Sequence, residues 1–344
     1  MNMRRVLVTT LATLLLLGPA TAWAQPVPGP LADLQSQLSM MSLHAPGHVS
    51  MEIKDIATGY TSGVNMSASM PAASTIKIPV MVEVFRQLAL GRFDFNTRVK
   101  LHRSDKDWGS GDLCDARVGG TYTVSRLLRA MITVSDNTAT NMLIRLVGRQ
   151  SINASMLSMG LEHTRLSNDI RSDGEGIRYA LRSSASDMVS LLVKMANENL
   201  IDEWSSREMV SILSGQRHNN LIPQPLPGDV QIAHKTGTLH DTLNDVGIVY
   251  AQSEPYVIAV MTTNLPSLNA GRRFIRGVSR LAYDDLVRFG DWRESNGTGG
   301  VSDPAAGAAV TPQTPDATQN GGGDTPMWGA NTATPAPAST PRPR

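Results

Sequence analysis

Hydrophobic and polar positions change period several times along the chain, and each change predicts an element. Within residues 31–44, Leu34, Leu38, Met41 and Leu43 recur at helical spacing. Val49, Met51 and Ile53 then alternate with Ser50, Glu52 and Lys54, which is strand periodicity. Ala57-Thr58-Gly59 reads as a turn, and residues 60–64 as a returning strand. Residues 78–90 are apolar nearly all round, so they predict a buried central helix. Pro79 fits that helix only in its first turn. Residues 123–133 put Val124, Leu127, Leu128, Met131 and Ile132 on one face, and residues 138–147 carry a second stripe stopped by Gly148. Ser184-x-x-Asp187 and Ser205-x-x-Glu208 read as capping boxes opening two more helices, the first with Asp where Glu is usual.

After residue 230 the pattern reverts to strands. Residues 230–235, 246–251 and 256–262 are rich in Val and Ile, and a helix over 268–292 closes the series. This order predicts an α+β fold. Five strands form one antiparallel sheet flanked by the terminal helices, and the central helices form an inserted all-helical lobe.

The two ends read differently. Arg4 and Arg5, the short apolar run 6–17 and Ala22-Trp23-Ala24 have the layout of a secretory signal peptide over 1–24. The apolar run is too short to span a bilayer, which needs about 20 residues. Residues 295–344 are rich in Gly, Pro, Ala and Thr and contain no Leu, Ile, Phe or Tyr, so they predict a disordered tail. The folded domain is then 25–294, in the periplasm or outside the cell, with no membrane span once the leader is removed. The 344 residues carry a net charge of +1, and losing Arg4 and Arg5 makes it −1. That balance argues against a nucleic-acid partner. A single cysteine, Cys114, excludes an internal disulfide and any cysteine-rich metal site. The seven histidines show no metal-ligand spacing, so neither a metal nor a cofactor is expected. A monomer is expected.

Three short motifs carry chemistry. Ser74-Thr75-Ile76-Lys77 places Ser74 and Lys77 one helical turn apart on one face. Lys77 is then placed to take the hydroxyl proton and make Ser74 a nucleophile at a helix N-terminus. An idle lysine at the start of so apolar a helix would be costly. Ser135-Asp136-Asn137 lies between two predicted helices, where capping is the ordinary explanation. As a functional motif, its Ser shuttles a proton to a leaving nitrogen and its Asn orients either the substrate or Lys77. Lys235-Thr236-Gly237-Thr238 ends a predicted strand. Its ordinary explanation is a hairpin turn. Its functional one is an edge strand in which Lys235, Thr236 and Thr238 bind a carboxylate. Gly237 leaves room for approach, and the N–H groups of Thr238 and Ser74 form an oxyanion hole. S-x-x-K alone is expected about once by chance in a chain this long. All three, in this order, are not.

Together they match the S-x-x-K, S-D-N and K-T-G set of class A β-lactamases and penicillin-binding proteins. The chain resembles this superfamily, nearest its class A group, over roughly residues 30–290. The resemblance implies acylation of Ser74 by a β-lactam or by a peptidoglycan stem peptide ending in D-alanyl-D-alanine. It casts Lys77 as base or relay, Ser135 as shuttle and Asn137 as holder of the substrate amide. Lys235, Thr236, Gly237 and Thr238 bind carboxylate and oxyanion.

Two departures stand out. The class A E-x-x-L-N element, whose Glu activates the deacylating water, is missing from residues 164–175, and Ile170 falls where that Glu would sit. Asp169, Asp173 and Glu175 are the carboxylates near enough to substitute. The arginine that class A enzymes often carry after the third motif is also missing; His240, Asp241, Asn244 and Asp245 stand there. Gly109-Ser110-Gly111-Asp112-Leu113 resembles a segment of class-A-like proteins that lack the Glu, and Trp108 beside it is a candidate wall of the cleft. The expectation is a serine hydrolase of β-lactams. The alternatives are a D-alanyl-D-alanine peptidase or related peptidoglycan amidohydrolase, and a penicillin-binding sensor that acylates once.

Overall fold

A computed structural model describes residues 29–172 and 177–296. The expected leader, the tail from 297 onward, and Asp173 and Glu175 lie outside the described residues.

Five antiparallel strands form the central sheet: β1 (His48–Asp55), β2 (Thr61–Val64), β3 (Gln231–Leu239), β4 (Thr242–Tyr250) and β5 (Tyr256–Thr263). Their order is β2-β1-β5-β4-β3. The chain thus leaves the sheet at one edge and returns at the other, and β3 is an edge strand.

Helices α1 (Gly29–Leu43), α2 (Lys77–Ala89), α3 (Val124–Thr133), α4 (Asn137–Val147), α5 (Arg149–Ser158), α6 (Ala185–Ala196), α7 (Glu203–Ser214) and α8 (Leu268–Ser295) complete the frame. Leu34 and Leu38 of α1 and Ile275 and Val278 of α8 close one face of the sheet, against Met51, Ile53, Ile258 and Val260. The inserted helices close the other, against Ala233, Val246, Val257 and Ala259. Both faces of β1 are therefore covered. Ser50 and Glu52, on its polar side, are buried as well, and burial pushes the Glu52 carboxyl up.

The predicted elements are present, with changes at their ends. Pro79 is the third residue of α2, inside its first turn, so no interior hydrogen bond is lost. Ser184 caps α6 by accepting from the Asp187 N–H (3.1 Å), but the Asp187 carboxylate bonds to His163 N and Thr164 Oγ1 instead of closing the box. Helix α7 starts earlier than the Ser205 box implies. Asp202 caps it, accepting from Ser205 N at 2.7 Å, and Ser205 lies inside the helix. An acid at that position complements the positive end of the helix. Leu43 is exposed at the end of α1 instead of joining the stripe. Strand β3 runs through the third motif to Leu239, so Lys235-Thr236-Gly237-Thr238 is edge strand and the turn comes at His240-Asp241.

Candidate active site

Two backbone kinks position the first two motifs. Ser74 sits in a 3₁₀ turn, Ala73–Ile76, that runs directly into α2. Ala73 before it has φ +49°, a left-handed conformation that costs a non-glycine residue on the order of 1–3 kcal/mol. Asn244 of β4 holds that kink: its amide donates to Pro71 O (2.8 Å) and Ala72 O (3.1 Å), and its carbonyl accepts from Thr262 N (2.9 Å). Ser135 is left-handed too, with φ +60°, between α3 and α4. Asp136 is the N-cap of α4, accepting from Ala139 N (2.7 Å), and also receives Leu113 N (2.9 Å). For Asp136 the capping explanation holds. Ser135 and Asn137 on either side of it face a cleft of about 970 Å³.

The third motif borders the same cleft through Thr236 and Thr238. A Cβ on Gly237 would stand 2.9 Å from Ala72 O and 3.1 Å from Ser74 N, so the strand edge presses against the turn that carries Ser74. Within the described residues, the Ser74 hydroxyl has no hydrogen-bond partner and opens on the cleft.

Two lysines converge behind it. Lys77 is fully buried and bonds to Ser135 O, Ser135 Oγ (3.0 Å) and Asn137 Oδ1 (2.7 Å). Lys235, also fully buried, bonds to the same Ser135 Oγ (3.1 Å) and to Thr236 O (2.9 Å). Burial, and then the charge of Lys235, hold the Lys77 amine well below the usual lysine range, against the pull of Asp136 and Asp107. Burial brings Lys235 down to about 7, with Asp245 pulling the other way.

The loop opposite contributes no acid at Ile170. Its side chain lines the cleft and is only 3% exposed. Asn141 of α4 fixes its backbone, donating to Ile170 O (3.0 Å) and accepting from Ile170 N (2.8 Å). Asp169 does not border the cleft. It is 45% exposed and lies 3.7 Å from both Arg149 and Arg171.

The chain matches the family described as the beta-lactamase enzyme family over residues 33–286. It belongs to that family. β-Lactamase Toho-1 of Escherichia coli is 26% identical over 278 residues, 79% of this chain and 94% of that protein. Among solved structures, PBP-A superposes with a TM-score of 0.71 at 28% identity, over 75% of this chain and 97% of its own. A leucine-to-glutamate variant of PBP-A is known as an acyl-enzyme complex with penicillin G. A β-lactamase from Sphaerobacter thermophilus superposes with a TM-score of 0.69 at 29% identity, over 74% of this chain and 97% of its own. This member of the β-lactamase family is a class A-like serine hydrolase with the family's fold.

Several residues of the site were not legible in the motifs. Asp107 is buried, and its carboxylate accepts from Asn137 Nδ2 (2.7 Å), Gly109 N (3.0 Å), Ser172 N (2.7 Å) and Ser172 Oγ (3.0 Å). Burial alone would raise its pKa, but these donors hold the carboxyl below the usual range. It thereby joins the second motif to the loop that carries Ile170. Arg272 of α8 reaches the cleft near His240 and Asp241, with its Nε buried and without a hydrogen-bond partner. A cation therefore does border the third-motif end of the cleft, from a helix far away in sequence. His234 does not reach the cleft. It is buried between Asp245 Oδ1 (2.9 Å) and Asn219 Oδ1 (3.0 Å). Cys114 is buried, with burial pushing its thiol up. Among the described residues, no group of three His, Cys, Asp or Glu side chains is placed to hold a metal ion.

Proposed function

We propose that this chain is an exported enzyme that opens the amide of a β-lactam through an acyl-enzyme on Ser74. The observation that carries the reading is the line of bonds from Lys235 Nζ through Ser135 Oγ to Lys77 Nζ. A neutral Lys77 amine gives its two N–H to oxygens that only accept, Ser135 O and Asn137 Oδ1, so its lone pair is turned to the Ser135 hydroxyl and becomes available to Ser74 as the Ser74 hydroxyl turns onto it. It takes the Ser74 proton as Ser74 Oγ attacks the carbonyl carbon. The N–H groups of Ser74 and Thr238 hold the oxyanion. Ser135 then gives its proton to the leaving nitrogen and recovers one from Lys77. Asn137 holds the substrate amide, and Lys235, Thr236 and Thr238 hold its carboxylate, with Arg272 nearby. Residues 1–24 are removed on export to the periplasm or beyond.

Ile170 favours a second reading. An apolar side chain where the water-activating Glu would sit leaves the ester without a placed base. A D-alanyl-D-alanine peptidase has that character, because β-lactams acylate it and leave slowly. Intact-mass spectrometry through a time course with benzylpenicillin decides between the readings, with Ser74→Ala alongside. A transient adduct with the drug consumed supports the β-lactamase. A persistent adduct, with release of D-alanine from an acyl-D-alanyl-D-alanine peptide, supports the peptidase. A persistent adduct with neither product means a sensor. Labelling of Ser74→Ala overturns the nucleophile.

A further inference from the structure

Beside the catalytic cleft lies a second cavity of about 360 Å³, lined by Arg103, Lys106, Trp108 and Arg171 and sharing Ser172 with the cleft. Its lining holds three cations, Arg103, Lys106 and Arg171, against one carboxylate, Asp107. Among the described residues neither Arg103 nor Lys106 has an ion-pair partner. Arg171 donates to Ser104 O (2.9 Å) and Lys106 O (3.4 Å), and its carboxylate partner is Asp169, 3.7 Å away and shared with Arg149. The two acids flanking Lys106 are engaged elsewhere. Asp105 bonds to Arg145 and to His102 N, and Asp107 is taken up by Asn137, Gly109 and Ser172. Trp108 stands 69% exposed as the apolar wall, with Lys106 Nζ 5.9 Å from its ring centre.

Its place along a bound substrate follows from the site. The substrate carboxylate is held at Lys235 and the scissile carbonyl at Ser74. The acyl side runs past Asn137, whose amide is bonded to Asp107 between Lys106 and Trp108. We propose that this cavity is an acyl-side subsite that selects substrates carrying a second carboxylate there, with an apolar or ring face against Trp108. The substrate class is then an acidic acyl-peptide or an acidic β-lactam, not a neutral one. This assignment of sides rests on the acyl-enzyme reading above.

The test compares acylation by benzylpenicillin with acylation by carbenicillin, which is benzylpenicillin with an added side-chain carboxylate. In the Arg103→Ala/Lys106→Ala protein, carbenicillin should lose about two- to fivefold more acylation rate than benzylpenicillin, the upper part of the range for exposed ion pairs. High salt should reproduce that selective loss in the unaltered protein. Equal losses for both drugs, or none, would overturn the subsite. If neither drug labels the unaltered protein, the acyl-enzyme reading fails, and calorimetry on the Ser74→Ala protein decides the subsite separately. The probes are acetyl-Glu-D-Ala-D-Ala and acetyl-Gln-D-Ala-D-Ala. Tighter binding of the Glu peptide, lost in the Arg103→Ala/Lys106→Ala background, supports it, and equal binding overturns it.

Discussion

The two walls of the cleft are built on opposite principles. On the Ser74 side, two fully buried lysines meet one hydroxyl, Ser135 Oγ, at 3.0 and 3.1 Å. Buried cations of like sign are expensive, and the cost is met by lowering the proton affinity of both amines. On the Ile170 side, the facing side chain has no proton chemistry, and its backbone is clamped by Asn141. On the proposed acyl-enzyme course, the first wall is the one that forms the ester bond. The second has a rigid loop in the place where a base would break it. On the acyl-enzyme course proposed above, a complete half-site beside an incomplete one would make the second half-reaction limit turnover.

Removing the base of the first wall should have the largest effect. Lys77→Met should slow acylation by benzylpenicillin about 1,000-fold, within the usual range for losing a general base. A loss below about tenfold would mean that the proton leaves Ser74 by another route. Supplying a base to the second wall should come next. Ile170→Glu should shorten the lifetime of the penicilloyl adduct about 100-fold. It should also cost about 1–3 kcal/mol of stability, because Asn141 keeps the new carboxylate where Ile170 is buried. An unchanged adduct lifetime in a folded Ile170→Glu protein would remove Ile170 as the cause of slow release.

A smaller effect is expected from pH. Lys235 carries its charge below about 7 and loses it above. Acylation at low drug concentration, which reports the free enzyme, should fall as pH rises through about 7, because the anionic drug loses its cation. Lys77 must be neutral to act, so the acid limb of the profile belongs to it and lies well below the usual lysine range. At saturating drug the bound carboxylate stabilises the Lys235 charge, so the alkaline limb should move to higher pH. An alkaline limb that stays put at saturation would mean that Lys235 does not face the carboxylate.

Much of the fold was legible because the hydrophobic period changes where the architecture changes. The alternation in β1 and the all-round apolar run of α2 are direct images of a covered strand and a central helix. The three motifs were legible because each is contiguous. What stayed hidden is contact across sequence. Asp107 and Asn141 look like loop and helix polar residues, yet they join the second motif to the Ile170 loop. Arg272 sits among other arginines of α8, with nothing to mark it as the one that reaches the cleft. The third motif was expected to end its strand. Its strand character came from the pairing of Thr236, Gly237 and Thr238 with Asp245, Asn244 and Leu243, which no local propensity encodes.

The smallest expected effect separates the catalytic wall from what supports it. His234 precedes Lys235 but points to the other face of β3, where it bridges Asp245 on β4 and Asn219. Asn219 lies in a loop whose neighbours His218, Asn220 and Leu221 line the cleft. Asp245 holds the far end of that loop by accepting from Ile222 N at 2.9 Å. The bridge is thus a clamp on one side of the cleft and touches no reacting atom. Cutting it with His234→Ala should raise the half-saturating drug concentration for acylation about threefold, well within the worth of one buried hydrogen bond. The limiting acylation rate should hold, because Lys77, Ser135 and Lys235 keep their partners. Amide exchange over residues 217–222 should quicken in parallel. A fall in the limiting rate with no change in half-saturation would place His234 in the proton chemistry instead, and would erase the distinction between the wall that reacts and the loop that shapes it.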